Sequence, residues 1–162
     1  MVLLSLQKKN SSKILSAHIM VFPPRQVLDR VWIGGHSTAT NESFMRENNI
    51  GLIINCTRHV PSPFRDDIPT YRIPIDDHPE WKPLFQQHLD AVTRQIHHTL
   101  TNTHDSVLVH CHAGVSRSAT VVAAYLIKYR DLSVDEAIGT IRARKPETFQ
   151  PFPIFKDILH NL

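Results

Sequence analysis

The residues best suited to chemistry lie in residues 107–120, where Cys111 and Arg117 stand six positions apart around Gly114. The apolar residues before this loop predict a short buried strand, and the apolar run after it predicts a helix. A loop between a strand and a helix N-terminus can direct its backbone N–H groups at a tetrahedral dianion. The same dipoles and the arginine charge favour a thiolate, which makes Cys111 a candidate nucleophile toward a bound phosphate.

The other residues of this stretch have the types that attack on phosphorus requires. Arg117 can bind two phosphate oxygens with its planar guanidinium while the loop amides bind the rest. Ser118 can donate a hydrogen bond to the departing sulfur, and His110 lies behind the loop, where it can orient it. A buried structural thiol is the alternative for Cys111, and the combined pattern argues against it. The predicted phosphate-binding loop comprises His112, Ala113, Gly114, Val115, Ser116 and Arg117.

The segment from His110 to Thr120, His-Cys-His-Ala-Gly-Val-Ser-Arg-Ser-Ala-Thr, resembles the signature of the cysteine-dependent protein tyrosine phosphatases. It is most similar to that of their dual-specificity branch, and the resemblance extends over about residues 26–160. The resemblance implies a small, mostly parallel sheet flanked by helices, a phosphocysteine intermediate, no metal and no cofactor. It also implies an aspartate general acid on a separate loop.

An aspartate pair after a predicted strand is the candidate for that acid. A leaving oxygen needs a proton, which a carboxylic acid on a mobile loop can supply. The match of residues 73–78, Ile-Pro-Ile-Asp-Asp-His, to the family pattern places the acid on Asp77, with Asp76 second. Because aspartate also caps turns, one of the two is expected to have that role. The rival pair Asp66 and Asp67 lies in a proline-rich loop with no strand end to position it.

Cys56 is a candidate redox partner of Cys111. It follows the predicted buried strand, and the carboxyl ends of parallel strands converge on one site. Several relatives of the resembling family trap the oxidised nucleophile as a disulfide with such a cysteine, which prevents over-oxidation. The alternative is that Cys56 is a small buried hydrophobic residue.

Basic residues at the end of a predicted helix are the candidates for binding a second phosphate. Lys145 or Arg144 could contact that group or an acidic substrate flank, although the helix dipole alone favours cations there. The resembling enzymes often have Pro-Asn after this helix, whereas Phe152 follows Pro151 here.

The eleven histidines show no metal-ligand spacing, so the sequence predicts no metal site.

The elements that must position these residues alternate between strands and helices, which predicts an α/β sandwich of three layers around the sheet. Ser133 and Glu136 form a predicted capping box, and Pro74 places its strand at an edge or ends it. The predicted strands are residues 26–35 as two short strands before a Gly-Gly turn, 50–57, 71–75 and 107–110. The predicted helices are residues 40–49, 84–100, the run after the loop, 133–145 and 153–160.

The composition is that of a globular protein with 41% apolar and 20% charged residues, and 162 residues suit one catalytic domain. Eighteen Lys and Arg against fifteen Asp and Glu favour acidic partners, but no basic run with interleaved aromatics predicts nucleic-acid binding. Two cysteines make no disulfide framework, which favours a cytoplasmic or nuclear location. No secretion signal, lipid anchor or membrane span is expected.

Residues 1–24 are predicted to form an N-terminal arm and residues 25–162 the catalytic domain. Ten large apolar side chains in residues 2–22 need cover. The arm can fold back on its own domain or dock on a second copy as a swapped arm in a dimer.

The leading function is a protein phosphatase acting on phosphotyrosine and on phosphoserine or phosphothreonine. Phosphoinositide phosphatases of the same chemistry tend to carry lysines in the loop, where this chain has His112, Val115 and Ser116. RNA 5′-triphosphatases typically show Asn-Arg-Thr in place of Ser-Arg-Ser. A non-catalytic phosphoprotein-binding module usually lacks the nucleophile.

Overall fold

The computed structural model describes residues 22–162. The strands are β1 (Arg25–Leu28), β2 (Val31–Gly34), β3 (Ile50–Asn55), β4 (Thr70–Arg72) and β5 (Ser106–His110). They form one five-stranded sheet in the order β1-β2-β5-β3-β4, with β1 antiparallel to β2 and every other pair parallel. This confirms the predicted small, mostly parallel sheet.

The central strand β5 sets the position of the site. All its side chains are buried, and their alternation sends Val107 and Val109 to one face of the sheet and Leu108 to the other. In register with His110, the last residue of β5, stand Gly34 and Asn55, the last residues of β2 and β3. The carboxyl ends of three parallel strands therefore meet at one edge of the sheet.

Helices cover the sheet, as the α/β prediction requires. The helices are α1 (His36–Ala39), α2 (Glu42–Glu47), α3 (Lys82–Asn102), α4 (Arg117–Arg130), α5 (Val134–Arg144) and α6 (Lys156–Leu159). One face of α3 buries Phe85, Leu89, Val92 and Ile96, which follows the predicted spacing, whereas α4 is buried along most of its length. The capping box at the start of α5 is present, with Ser133 Oγ accepting from the Glu136 amide at 3.2 Å.

Two hydrophobic clusters hold the layers together. The larger one joins the sheet to α3, α4 and α5, and the smaller one packs Met45 of α2 and the loop residues Phe64 and Ile68 on the opposite face. No helix in residues 22–162 has the length and apolar character needed to cross a bilayer.

Three elements differ from the sequence-based boundaries. The helix expected over residues 40–49 is the shorter α2, because Asn41 caps its start through its side-chain oxygen, and the short helix α1 before it was not predicted. The last helix is only α6, because residues 153–155 form a turn before it, in which the Lys156 amide donates to the Pro153 carbonyl at 3.0 Å. The strand expected over residues 71–75 is β4, which lies at the sheet edge and ends before Pro74.

Candidate active site

The loop between β5 and α4 is held by the end of β2. The amide of Cys111 donates to the Gly34 carbonyl at 3.4 Å, and the amide of His36 donates to the His112 carbonyl at 2.8 Å. Gly114 has a φ of 72°, and a Cβ there would lie 2.7 Å from the Gly34 oxygen. A side chain at Gly35 would come equally close, 2.7 Å, to the His112 carbonyl. Only glycine fits these contacts, so the Gly-Gly turn shapes the loop.

Cys111 lies at the bottom of this loop, 2% exposed. Burial raises the pKa of its thiol, but the Arg117 charge and hydrogen bonds from the Ser118 hydroxyl and from the amides of Ser118 and Gly114 outweigh burial, so the net pKa is lowered. The Ser118 Oγ is 3.2 Å from the sulfur. The lowered pKa favours the thiolate form of Cys111.

Arg117, the first residue of α4, is buried, and backbone carbonyls in the segments that follow β3 and β4 hold its guanidinium in place. Its Nη1 donates to the carbonyls of Ile75 at 2.9 Å and Cys56 at 3.3 Å. Its Nε is buried and has no hydrogen-bond partner within residues 22–162. Because an unpaired buried donor on a charged group is costly, this N–H marks a place for an anionic acceptor.

His110 supports the loop from behind. It is 1% exposed, and its Nδ1 lies 3.4 Å from the Cys111 carbonyl, which can only accept, so Nδ1 carries the proton. Burial and the charges of Arg72, His36 and Arg117 outweigh this hydrogen bond and lower the pKa of His110 to about 4. The imidazole is neutral at pH 7 and orients the loop without adding charge to it.

The two candidate acids directly follow Ile75, whose carbonyl binds Arg117. Asp76 is half-buried and accepts a hydrogen bond of 3.0 Å from Arg58, whose guanidinium lies over the Trp81 ring. Asp77 is exposed. The ion pair engages Asp76, and Asp77 stays the predicted general acid.

The rival aspartates lie elsewhere. Asp66 is exposed and contacts Arg65 at 4.0 Å, and Asp67 lines a surface groove with Ile50, the first residue of β3. Ile50 starts β3, so this groove lies at the amino-terminal ends of the parallel strands, whereas the phosphate loop lies at their carboxyl ends.

Comparisons with known proteins agree with this geometry. The family described as "Dual specificity phosphatase, catalytic domain" matches residues 31–161. The chain belongs to this family. Mouse dual specificity protein phosphatase 14 is 34% identical over 121 residues, which covers 75% of this chain and 60% of the mouse protein. Mpk3 of Drosophila melanogaster, also a dual specificity protein phosphatase, is 34% identical over 131 residues, or 80% of this chain and 31% of the fly protein.

Solved structures of the dual specificity phosphatase family share the fold. The crystal structure of human DUSP28 matches with a TM-score of 0.76 and 26% identity, covering 86% of this chain and 92% of that chain. The present chain thus spans nearly all of that structure, but only 60% of the length of mouse phosphatase 14.

Within the family fold, Cys56 lies beside the phosphate loop. Its amide donates to the His110 carbonyl at 2.8 Å, and its own carbonyl accepts from Arg117. Burial, followed by charge on Cys111, raises the pKa of the Cys56 thiol, and Arg117 lowers it by less. Cys56 and Cys111 are both free cysteines.

The predicted second-phosphate contacts are not brought to the loop. Lys145 is fully buried, and its Nζ donates to Glu147 at 2.6 Å and to the Pro23 carbonyl at 3.2 Å. The prediction for Lys145 is therefore wrong, because its charge is paired and enclosed. Arg144 is exposed and lines a surface hollow beside β1.

The segment after α5 supports the loop in a way that the sequence did not indicate. The amide of Phe149 donates to the Val115 carbonyl at 2.9 Å, and the buried Thr148 hydroxyl donates to the Lys145 carbonyl at 2.7 Å. Together with Gly34 and Gly35, Phe149 is a positioning residue that pattern analysis missed.

Within residues 22–162, no three His, Cys, Asp or Glu side chains cluster as a metal ion requires.

Proposed function

We propose that the chain is a protein phosphatase that hydrolyses phosphotyrosine and phosphoserine or phosphothreonine through a phosphocysteine intermediate. One observation carries the proposal: a cysteine of lowered pKa lies beside an anchored guanidinium whose buried Nε has no partner in the residues described. A tetrahedral phosphate monoester supplies the acceptors that Arg117 and the loop amides need. Membership of the dual specificity phosphatase family supports the same reaction.

In the first step, the Cys111 thiolate attacks phosphorus while the loop amides and Arg117 bind the non-bridging oxygens. The S–P bond forms as the P–O bond to the substrate breaks, and Asp77 donates its proton to the leaving oxygen. The carbonyls of Ile75 and Cys56 fix the guanidinium before substrate arrives, so little reorganisation is needed during the reaction.

In the second step, water hydrolyses the phosphocysteine. Asp77, now a carboxylate, takes a proton from the water, whose oxygen attacks phosphorus as the P–S bond breaks. The departing sulfur regains negative charge, and the Ser118 hydroxyl, 3.2 Å away, can donate a hydrogen bond to it. Inorganic phosphate and the Cys111 thiolate are the products.

The alternatives make different demands on the loop. A phosphoprotein-binding module needs the anchored arginine but no thiolate, whereas the pKa of Cys111 is lowered despite full burial. A phosphoinositide or RNA 5′-triphosphate substrate carries more negative charge, and Lys145 does not offer its charge to such a substrate because it is paired with Glu147.

Phosphate release from matched substrates tests the proposal. One peptide sequence carrying phosphotyrosine, phosphothreonine or phosphoserine is compared with a phosphoinositide and an RNA 5′-triphosphate, with Cys111→Ser as the inactive control. Release from the peptides that disappears in the variant is expected. Release only from lipid or RNA would overturn the substrate class, and peptide binding without release would identify a binding module.

We also place phosphoproteins among its partners, with a cytoplasmic or nuclear location.

A second copy, bound through residues 1–24, is the other proposed partner. Lys145 binds the Pro23 carbonyl, so the arm starts from a fixed point on the domain. Light scattering on the full chain and on a chain starting at Phe22 separates the two arrangements of the arm. A dimer that becomes monomeric on truncation supports docking on a second copy, and a full-length monomer at micromolar concentration refutes it.

A further inference from the structure

Arg58, in the segment after β3, contacts both ends of the segment that carries the candidate acid. Its Nη1 donates to Asp76 Oδ2 at 3.0 Å, and its guanidinium carbon lies 4.8 Å from the centroid of the Trp81 ring. Asp76 directly precedes Asp77, and Trp81 directly precedes α3. One side chain thus joins, by an ion pair and a cation–π contact, the two ends of residues 76–81, which we call the acid segment.

The backbone on either side of Arg58 is fixed by hydrogen bonds. Arg72 of β4 donates to the carbonyl of Thr57 at 3.0 Å and to that of Val60 at 2.9 Å. The hydroxyl and the amide of Thr57 both donate to Asn55 Oδ1, at 2.6 Å and 3.1 Å. Arg58 therefore extends from a well-supported part of the chain, which suits it to hold a neighbouring segment in place.

The acid segment is packed at its ends and exposed between them. Ile75 before it is fully buried and Trp81 is half-buried, whereas residues 77–80 are exposed. Two hydrogen bonds inside the segment are local, because the amides of Trp81 and Glu80 donate to the carbonyl and the Nδ1 of His78, at 3.1 Å and 3.3 Å. These bonds shape the turn, and the contacts of Arg58 connect it to the segment after β3.

We propose that Arg58 is a positioning residue for the general acid, because it holds the acid segment where the Asp77 carboxyl can protonate the leaving oxygen. The inference rests on the proposed phosphatase function. Proton transfer needs the carboxyl within hydrogen-bond reach of that oxygen, and a misplacement of about 1 Å is costly. Without Arg58, the acid segment leaves this position for part of the time, and the productive fraction of molecules falls.

The size of the effect follows from the two contacts. The side chains of Arg58 and Asp76 are 40% and 46% exposed, so solvent screens their attraction. An exposed ion pair and an exposed cation–π contact together change an equilibrium by about threefold to thirtyfold. Removal of Arg58 is expected to lower the productive fraction by a factor in this range.

A pair of aryl phosphates with different leaving groups tests the role of Arg58. The acid matters most for a poor leaving group, and kcat/KM reports the step in which that group departs. In Arg58→Ala, kcat/KM should fall about threefold to thirtyfold for phenyl phosphate and less than about twofold for para-nitrophenyl phosphate. Arg58→Lys, which keeps the ion pair, should recover part of the loss.

The matched control is Arg65→Ala, at an exposed arginine in the same loop, which should leave both values unchanged. A general loss of stability, or repulsion of substrate by the unpaired Asp76, would lower kcat/KM equally for both aryl phosphates. An equal fall on the two substrates, or no fall, therefore overturns the proposal.

Amide hydrogen exchange separates this inference from the phosphatase proposal. It is measured on the full chain in the Cys111→Ser background, with and without Arg58→Ala, so that turnover is not required. Loss of the Arg58 contacts makes local opening easier, so exchange of the Glu80 and Trp81 amides should speed up by about threefold to thirtyfold, with β5 unchanged. That result supports the role of Arg58 even if the wild-type protein releases no phosphate. Unchanged exchange refutes it even if the wild-type protein hydrolyses every substrate.

Discussion

Replacing Arg117 by lysine separates the shape of the guanidinium from its charge. A guanidinium has five N–H donors, and Nη1 gives two to the carbonyls of Ile75 and Cys56. Three donors remain for the phosphate, including Nε, which has no hydrogen-bond partner among residues 22–162. An ammonium has three donors at a single point, so it cannot keep both carbonyls and bind two phosphate oxygens.

The size of the expected loss follows from these contacts. Arg117→Lys gives up at least two hydrogen bonds that involve a charged group, each contributing about 1.5–3 kcal/mol. A loss of about 3–6 kcal/mol in transition-state binding lowers kcat/KM roughly a hundredfold to ten-thousandfold. The positive charge stays, so we expect the pKa of Cys111 to rise less than in Arg117→Ala.

Two assays check this reasoning. Steady-state kinetics on a phosphotyrosine peptide gives kcat/KM, and the pH dependence of alkylation by iodoacetate gives the pKa of Cys111. Arg46→Lys, at an exposed arginine of α2, is the matched control and should behave as wild type. An Arg117→Lys protein within tenfold of wild-type kcat/KM would refute the bidentate role.

Three further predictions concern the remaining groups of the site. Asp77→Asn should lower kcat on peptides about a hundredfold, and less on an aryl phosphate with a good leaving group, because the amide cannot donate the proton; the same pattern in Asp76→Asn instead would move the acid by one residue. Limited peroxide should oxidise Cys111 to the sulfenic acid, which the Cys56 thiol attacks to form a disulfide with release of water; peptide mapping without reductant that finds no such linkage during reversible inactivation rejects it. His110 has a pKa of about 4 in the folded protein against about 6.5 unfolded, so the unfolded chain binds more protons between these values. The free energy of unfolding should therefore fall by up to about 3 kcal/mol as pH drops through this range, and urea unfolding of His110→Asn should show a weaker dependence.

The elements and the loop could be predicted because their signals are local. A buried strand, a glycine, an arginine six residues after the cysteine and an apolar helix follow one another in the chain. The N-cap at Asn41 is also a local signal, but the predicted helix began one residue before it, at residue 40.

The failures depend on contacts between distant residues. Lys145 looks like any cation at a helix end, and only the fold reveals that Pro23, far away in sequence, helps to enclose it. Gly34 and Phe149 likewise act on the loop from other parts of the chain. Such roles require the three-dimensional arrangement, because no spacing in the sequence encodes them.

The backbone contacts of the loop with Gly34, His36 and Phe149 have a consequence for inhibition. Since these bonds form during folding, the entropy of ordering the loop is lost before any ligand arrives. A small oxyanion such as vanadate should therefore bind to a preorganised loop. We expect fast association and little change in the hydrogen exchange of these amides. We therefore expect selectivity between relatives to come from residues around the loop rather than from the loop backbone.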